Sequence, residues 1–199
     1  MASFPEELVT KIRGVRDARI RRRAPLQHVE INTKHSADVI LARKSMANRN
    51  RPTELVVAIG ASTGGTEVLE EILVNLPDTT PGIVITQHMP EHFTAAFAAR
   101  VDTRSNLLVK EGENGERLYR GMALIAPGGK HMLLRSDAGG YYVEINDGPP
   151  VNRHKPSVDV LFRSACQSAG EKAVGILCTG MGDDGARGLL EMLQTGAVT

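Results

Sequence analysis

The 199-residue chain carries 24 Lys+Arg against 23 Asp+Glu, is 41% apolar and contains no Trp. No apolar run is long enough to cross a bilayer, and the amino terminus lacks the basic-then-apolar pattern of a secretory signal, which argues against a membrane-spanning or secreted protein and makes the cytoplasm the expected location. The near-neutral total hides an asymmetry, for residues 1–51 balance to +7 and residues 52–199 to −6, so a boundary is expected near Arg51-Pro52.

In chain order, residues 1–51 read as a basic linker with a short amphipathic helix at about Pro5 to Arg23. Their scattered apolar residues cannot bury a core. The cluster Arg19-Ile20-Arg21-Arg22-Arg23 raises the possibility of a nucleic-acid arm, but no aromatic side chains are interleaved for base stacking, so no nucleic-acid partner is expected. From residue 52 onward, strand and helix patterns alternate. Strands are expected at Leu55 to Ile59, Gly82 to Thr86, Leu107 to Val109, Met122 to Ala126 and Ala173 to Cys178, and helices at Glu67 to Asn75, Phe93 to Val101, Val158 to Ala169 and Gly185 to Gln194. The alternation predicts an α/β fold, a doubly wound and mainly parallel sheet with helices on both faces. His131 to Arg135 and Tyr141 to Ile145, joined through Ser136 to Gly140, predict an inserted β-hairpin. The two cysteines, Cys166 and Cys178, read as buried thiols rather than a disulfide.

Functional groups in open parallel sheets collect beyond the carboxyl ends of strands, and three strand ends here carry reactive side chains. The first runs into Gly60-Ala61-Ser62-Thr63-Gly64-Gly65, the second into Thr86-Gln87-His88-Met89-Pro90, and the fifth into Cys178-Thr179-Gly180-Met181-Gly182-Asp183-Asp184-Gly185. Each feature alone has a plain explanation: Ser62 could cap the helix after it, His88 could be an ordinary histidine, and Asp183 or Asp184 could cap the helix that starts at Gly185. Together they fit a nucleophile, its base and the carboxylate that orients the base. A metal site at His88, His92, Asp183 and Asp184 lacks convincing ligand spacing, so neither metal nor cofactor is expected.

These motifs, together with Ala126-Pro127-Gly128-Gly129-Lys130-His131-Met132 and Asn152-Arg153-His154-Lys155-Pro156-Ser157-Val158-Asp159, closely resemble the catalytic domain of the bacterial chemotaxis protein-glutamate methylesterases. The resemblance covers about Leu55 to Thr199 and implies hydrolysis of glutamate γ-methyl esters, with deamidation of glutamines, on methyl-accepting chemotaxis receptors. It implies Ser62 as nucleophile, His88 as base and Asp184 rather than Asp183 as the orienting carboxylate. It also implies an oxyanion hole from the backbone amides of Thr63 and Met181. His154, Pro156 and Ser157 are expected to line the substrate cleft, or to cap the helix that starts there. Residues 4–23 resemble the last helix of a receiver domain running into a linker, so a receiver is an expected partner in a longer protein. Family members continue past Thr199 with a further strand and helix, which leads to the expectation of an uncovered apolar edge. Two other functions fit the residues less well. A nucleotide-binding oxidoreductase would need an acidic residue at the second strand end, where Gln87-His88 stands instead; a non-catalytic response-regulator output module would have no use for the Ser62, His88 and Asp184 set.

Overall fold

A computed structural model describes residues 52–199; the expected amino-terminal helix and linker lie outside the described residues. The core of the fold is a five-stranded, all-parallel sheet in the order β3-β4-β2-β1-β7. Its strands are β1 (Val56–Ala61), β2 (Gly82–Gln87), β3 (Leu108–Glu111), β4 (Met122–Ile125) and β7 (Ala173–Leu177). The helices are α1 (Gly65–Asn75), α2 (Glu91–Asp102), α3 (Val158–Ala169) and α4 (Ala186–Gln194). Each element expected from residue 52 onward is present, with ends shifted by a few residues. Helix α2, for example, starts ahead of the apolar spacing, at Glu91, because a first turn that projects into solvent needs no apolar side chain and an acidic residue there suits the helix dipole.

The sheet has two buried faces, and the sequence alternation assigns its side chains between them. Val56, Ala58 and Val84 pack with Val158, Leu161 and Phe162 of α3 and with Met192 of α4. Ile59, Ala61, Ile83 and Ile85 pack on the opposite face with Leu69 and Leu73 of α1 and Phe97 and Val101 of α2. Burial on both sides explains the apolar run Ile83-Val84-Ile85 in β2, every residue of which is buried, polar Thr86 and Gln87 included.

The inserted hairpin is a separate two-stranded antiparallel sheet, β5 (His131–Asp137) and β6 (Gly140–Asn146). Its turn is shorter than the sequence suggested. Asp137 pairs with Gly140, and the Gly139 N–H donates to the Asp137 carboxylate at 2.7 Å, which closes the loop over two residues. Helix α3 satisfies the strand it supports: the Leu134 N–H donates to Ser164 Oγ, and Ser168 Oγ donates to the Leu134 carbonyl, both at 2.8 Å. Helix α3 thus lies between sheet and hairpin, and its amino terminus is delivered to the carboxyl edge of the sheet. At the other side of the sheet, β7 leaves Ile176 and Leu177 about two-fifths exposed, and Val198 forms a parallel bridge to Val174. Cys166 and Cys178 are free and half-buried rather than fully buried; burial pushes the Cys178 thiol up.

Candidate active site

Strands β2, β1 and β7 are neighbours, and their parallel registers bring three carboxyl ends to one edge, with Ala61 beside Gln87 and Gly60 beside Leu177. The chain leaves β1 through a sharp turn. Gly64 adopts φ 76°, a left-handed conformation open to glycine, and the Gly65 N–H donates to the Ser62 carbonyl at 2.8 Å. Gln87 steadies the same turn, its Nε2 donating to the Ser62 carbonyl at 2.8 Å. The β7 end is tied to it as well, for the Ser62 N–H donates to the Thr179 carbonyl and Thr179 Oγ1 donates to the Thr63 carbonyl, each at 2.9 Å. Gly180 passes so close that a Cβ there would sit 2.9 Å from the Ser62 Cβ, too tight for any side chain.

In this frame Ser62 Oγ lies 3.0 Å from His88 Nδ1, and His88 Nε2 lies 2.8 Å from Asp184 Oδ2. Residues 26 and 96 positions apart in sequence thus form one hydrogen-bonded line. The proton placement follows from the carboxylate. Burial opposes ionisation of Asp184, but donors from His88, Asn152 and Ser157 and the Val158 N–H outweigh it and hold the carboxyl well below its usual range. An ionised Asp184 can only accept, so His88 Nε2–H donates to it, and in the neutral form of the ring Nδ1 is the nitrogen left to accept the Ser62 hydroxyl proton. The two ring nitrogens stand in the reverse order from the familiar serine-protease line, in which Nε2 faces the serine.

Asp184 is held from every side. Oδ2 accepts the Val158 N–H at 2.7 Å, while Oδ1 accepts from Ser157 Oγ at 2.7 Å and Asn152 Nδ2 at 2.8 Å. Its side chain is only 2% exposed. Asp184 therefore caps a helix, but not the one it precedes in sequence: its carboxylate sits on the amino terminus of α3. The favour is returned. Asp159, in the first turn of α3, accepts the Gly185 N–H at 3.0 Å and the Gly188 N–H at 2.8 Å, and so caps α4. Each carboxylate meets the positive end of the other helix.

The remaining sequence expectations are placed as follows. Met181 is exposed and lies with Gly180 and Gly182 on the depression that contains Ser62 and His88. Thr63 follows Ser62 in the exposed turn, and among the described residues neither the Thr63 nor the Met181 N–H is used in a turn or loop hydrogen bond. His154 stacks on His88, with ring centroids 3.7 Å apart and planes 5° from parallel. Pro156, preceded by a cis peptide bond, is buried, and so is Ser157. Of the two places expected for Ser157, it takes the helix start: it is the N-cap residue of α3, and its hydroxyl donates to Asp184. Asn152 and Asp159 stood in a quoted motif without a role. Their importance shows only when two helix ends meet. Among the described residues no group of three His, Cys, Asp or Glu side chains is placed to hold a metal.

Fold and geometry define the class: an open, parallel α/β protein with a Ser–His–Asp line at the carboxyl edge of its sheet. The model of the family described as CheB methylesterase matches residues 57–199. The chain belongs to the CheB methylesterase family. It is 56% identical over 197 residues to a protein-glutamate methylesterase/protein-glutamine glutaminase of Xanthomonas oryzae, covering 98% of this chain and 56% of that relative. It is 50% identical over 199 residues to one of Geobacter metallireducens, covering 100% of this chain and 54% of the relative. The chain thus spans little more than half the length of these relatives. The crystal structure of the Thermotoga maritima CheB methylesterase catalytic domain superposes with a TM-score of 0.70 at 38% identity, covering 72% of this chain and 76% of that one.

Proposed function

We propose that this chain hydrolyses glutamate γ-methyl esters, and deamidates glutamines, on methyl-accepting chemotaxis receptors, by acyl transfer through Ser62. The observation that carries the reading is the continuous line from Ser62 Oγ to His88 Nδ1 and from His88 Nε2 to Asp184. The substrate class comes from the relatives, which are named for both activities.

In this reading Ser62 Oγ attacks the side-chain carbonyl while His88 Nδ1 takes its proton, and the imidazolium so formed is stabilised by Asp184 across Nε2–H. The imidazolium returns the proton to departing methanol or ammonia. Water, deprotonated by the same nitrogen, then cleaves the acyl-serine and releases glutamate. The uncommitted amides of Thr63 and Met181 would receive the developing oxyanion. Fixed N–H dipoles of this kind stabilise charge without reorganising, and one donor typically contributes on the order of 10²-fold or more in rate. Thr63 and Met181 act through backbone groups in this scheme, so side-chain substitutions there should matter less than at Ser62. The depression that holds Ser62 and His88 is bordered by exposed Met181, which suits a side chain presented on a protein surface. Among the described residues no helix is long and apolar enough to cross a membrane, and we place the reaction on the cytoplasmic part of the receptor.

Methanol release from methylated receptor, compared between the unaltered chain and Ser62→Ala, tests the proposal. The expected result is a loss of at least about 10³-fold in the variant. Equal rates would remove Ser62 from the chemistry and overturn the mechanism.

A further inference from the structure

We infer that Asn152 is a positioning residue of this site, which fixes the Asp184 carboxylate, and through it the His88 imidazole, by sharing one amide nitrogen between Asp184 and Asp159. The inference rests on the Ser–His–Asp reading above and adds a residue to it.

The reciprocal caps of α3 and α4 create a problem of their own. Two carboxylates, Asp184 and Asp159, are drawn to the same pair of helix ends, and both must find donors there. Asn152 Nδ2 stands between them, 2.6 Å from Asp159 Oδ2 and 2.8 Å from Asp184 Oδ1. A primary amide is suited to the position because it carries two donor hydrogens on one uncharged atom, one for each carboxylate. The other contacts to Asp184 come from His88 itself or from the start of α3; Asn152 alone reaches it from a separate turn.

That turn is built for the task. Val151 and His154 exchange two backbone hydrogen bonds of 2.8 and 3.0 Å around Asn152 and Arg153, whose φ values are 50° and 67°. Two consecutive non-glycine residues at positive φ are strained, and such strain persists where the surroundings over-determine it. Asn tolerates the left-handed region better than most side chains, whereas glycine would adopt it freely but could not donate. The same turn lays His154 against His88. One two-residue turn therefore braces the imidazole on its face and the carboxylate on its far oxygen, and the ring is held in line between Ser62 and Asp184.

The test compares Asn152→Gly with Arg153→Gly, two glycines in the same left-handed turn, of which only the first removes the donor. Two readouts are taken on the whole chain: kcat and KM for methanol release from methylated receptor, and the downfield proton resonance of the His88 Nε2–H bonded to Asp184. Asn152→Gly should lower kcat on the order of 10²-fold with KM near its original value, the scale expected when a reacting group is misplaced, and should abolish the resonance. Arg153→Gly should preserve both. The inference is overturned by an unchanged kcat and resonance in Asn152→Gly, by an equal loss of both in Arg153→Gly, or by absence of the resonance from the unaltered chain. Ser62→Ala separates the two readings, because it should abolish methanol release and leave the resonance in place.

Discussion

Asp184 and Asp137 are both aspartates held below their ordinary carboxyl range by strong donors, yet they sit in opposite settings. Asp137 ends β5 on the surface and meets Arg117 through two bonds of 2.6 and 2.7 Å, with the Gly139 N–H as a third donor. Asp184 is buried at the sheet edge and, among the described residues, has no Lys or Arg hydrogen-bond partner; its partners are an imidazole, an amide, a hydroxyl and backbone N–H groups. A guanidinium would neutralise a carboxylate as well or better, but it would leave nothing for His88 to lean on. Neutral donors keep the negative charge ionised and available, as the proposed mechanism requires for stabilising an imidazolium. The exposed pair, screened by water and salt, holds a hairpin turn and little else.

The comparison can be broken most directly at Asp184. Asp184→Asn should reduce methanol release by about 10³–10⁴-fold, because the amide favours the wrong imidazole tautomer, whereas Asp137→Asn should leave the rate unchanged; steady-state turnover of both variants decides whether depth or mere charge matters. The next effect is structural. Gly188 lets α4 approach α3, and a Cβ there would lie 2.6 Å from the Phe162 Cβ. Gly188→Ala should therefore cost about 1–3 kcal/mol, read from denaturant unfolding, and should also weaken activity by shifting the Asp159 cap. A variant as stable and active as the original would show that the two helices do not need this contact.

The smallest effect is the response to acid. A carboxylate whose folded pKa is depressed contributes stability in full above its ordinary value of 3.8, and loses it as pH falls toward the folded value. Stability of the unaltered chain should thus decline below about pH 4, where the unfolded chain takes up protons that folded Asp184 refuses. Asp184→Asn should flatten that decline, and Asp137→Asn should flatten it much less, because its pairing is exposed. Unfolding free energies measured across the acid range, at low and high salt, give both slopes. Equal flattening by the two variants would erase the distinction between them.

Much of this molecule was legible from local pattern. Apolar runs of strand length alternating with helical spacing carry their own periodicity, and Gly64 had to be a turn because β1 ends in residues that continue neither strand nor helix. The hairpin was readable too, apart from its turn length, which depends on one carboxylate reaching one N–H. At the site, Ser62 and His88 announced themselves by standing at strand ends. The contacts around Asp184 were harder to read. A carboxylate ahead of a helix reads as that helix's cap, and nothing local shows that a second helix end, 26 residues earlier in the chain, takes the carboxylate instead.

Sequence by itself determined the layered α/β order, the serine turn and, through the family's motifs, the class of chemistry, because hydrophobic period and glycine conformation act over a few residues. Tertiary structure alone decided that the Ser157 hydroxyl is spent on Asp184, that α3 and α4 trade caps, and that Asn152 stands between two carboxylates. Those outcomes depend on which helix ends the sheet brings together, and hydrogen bonds made across such distances leave no periodic trace in the chain.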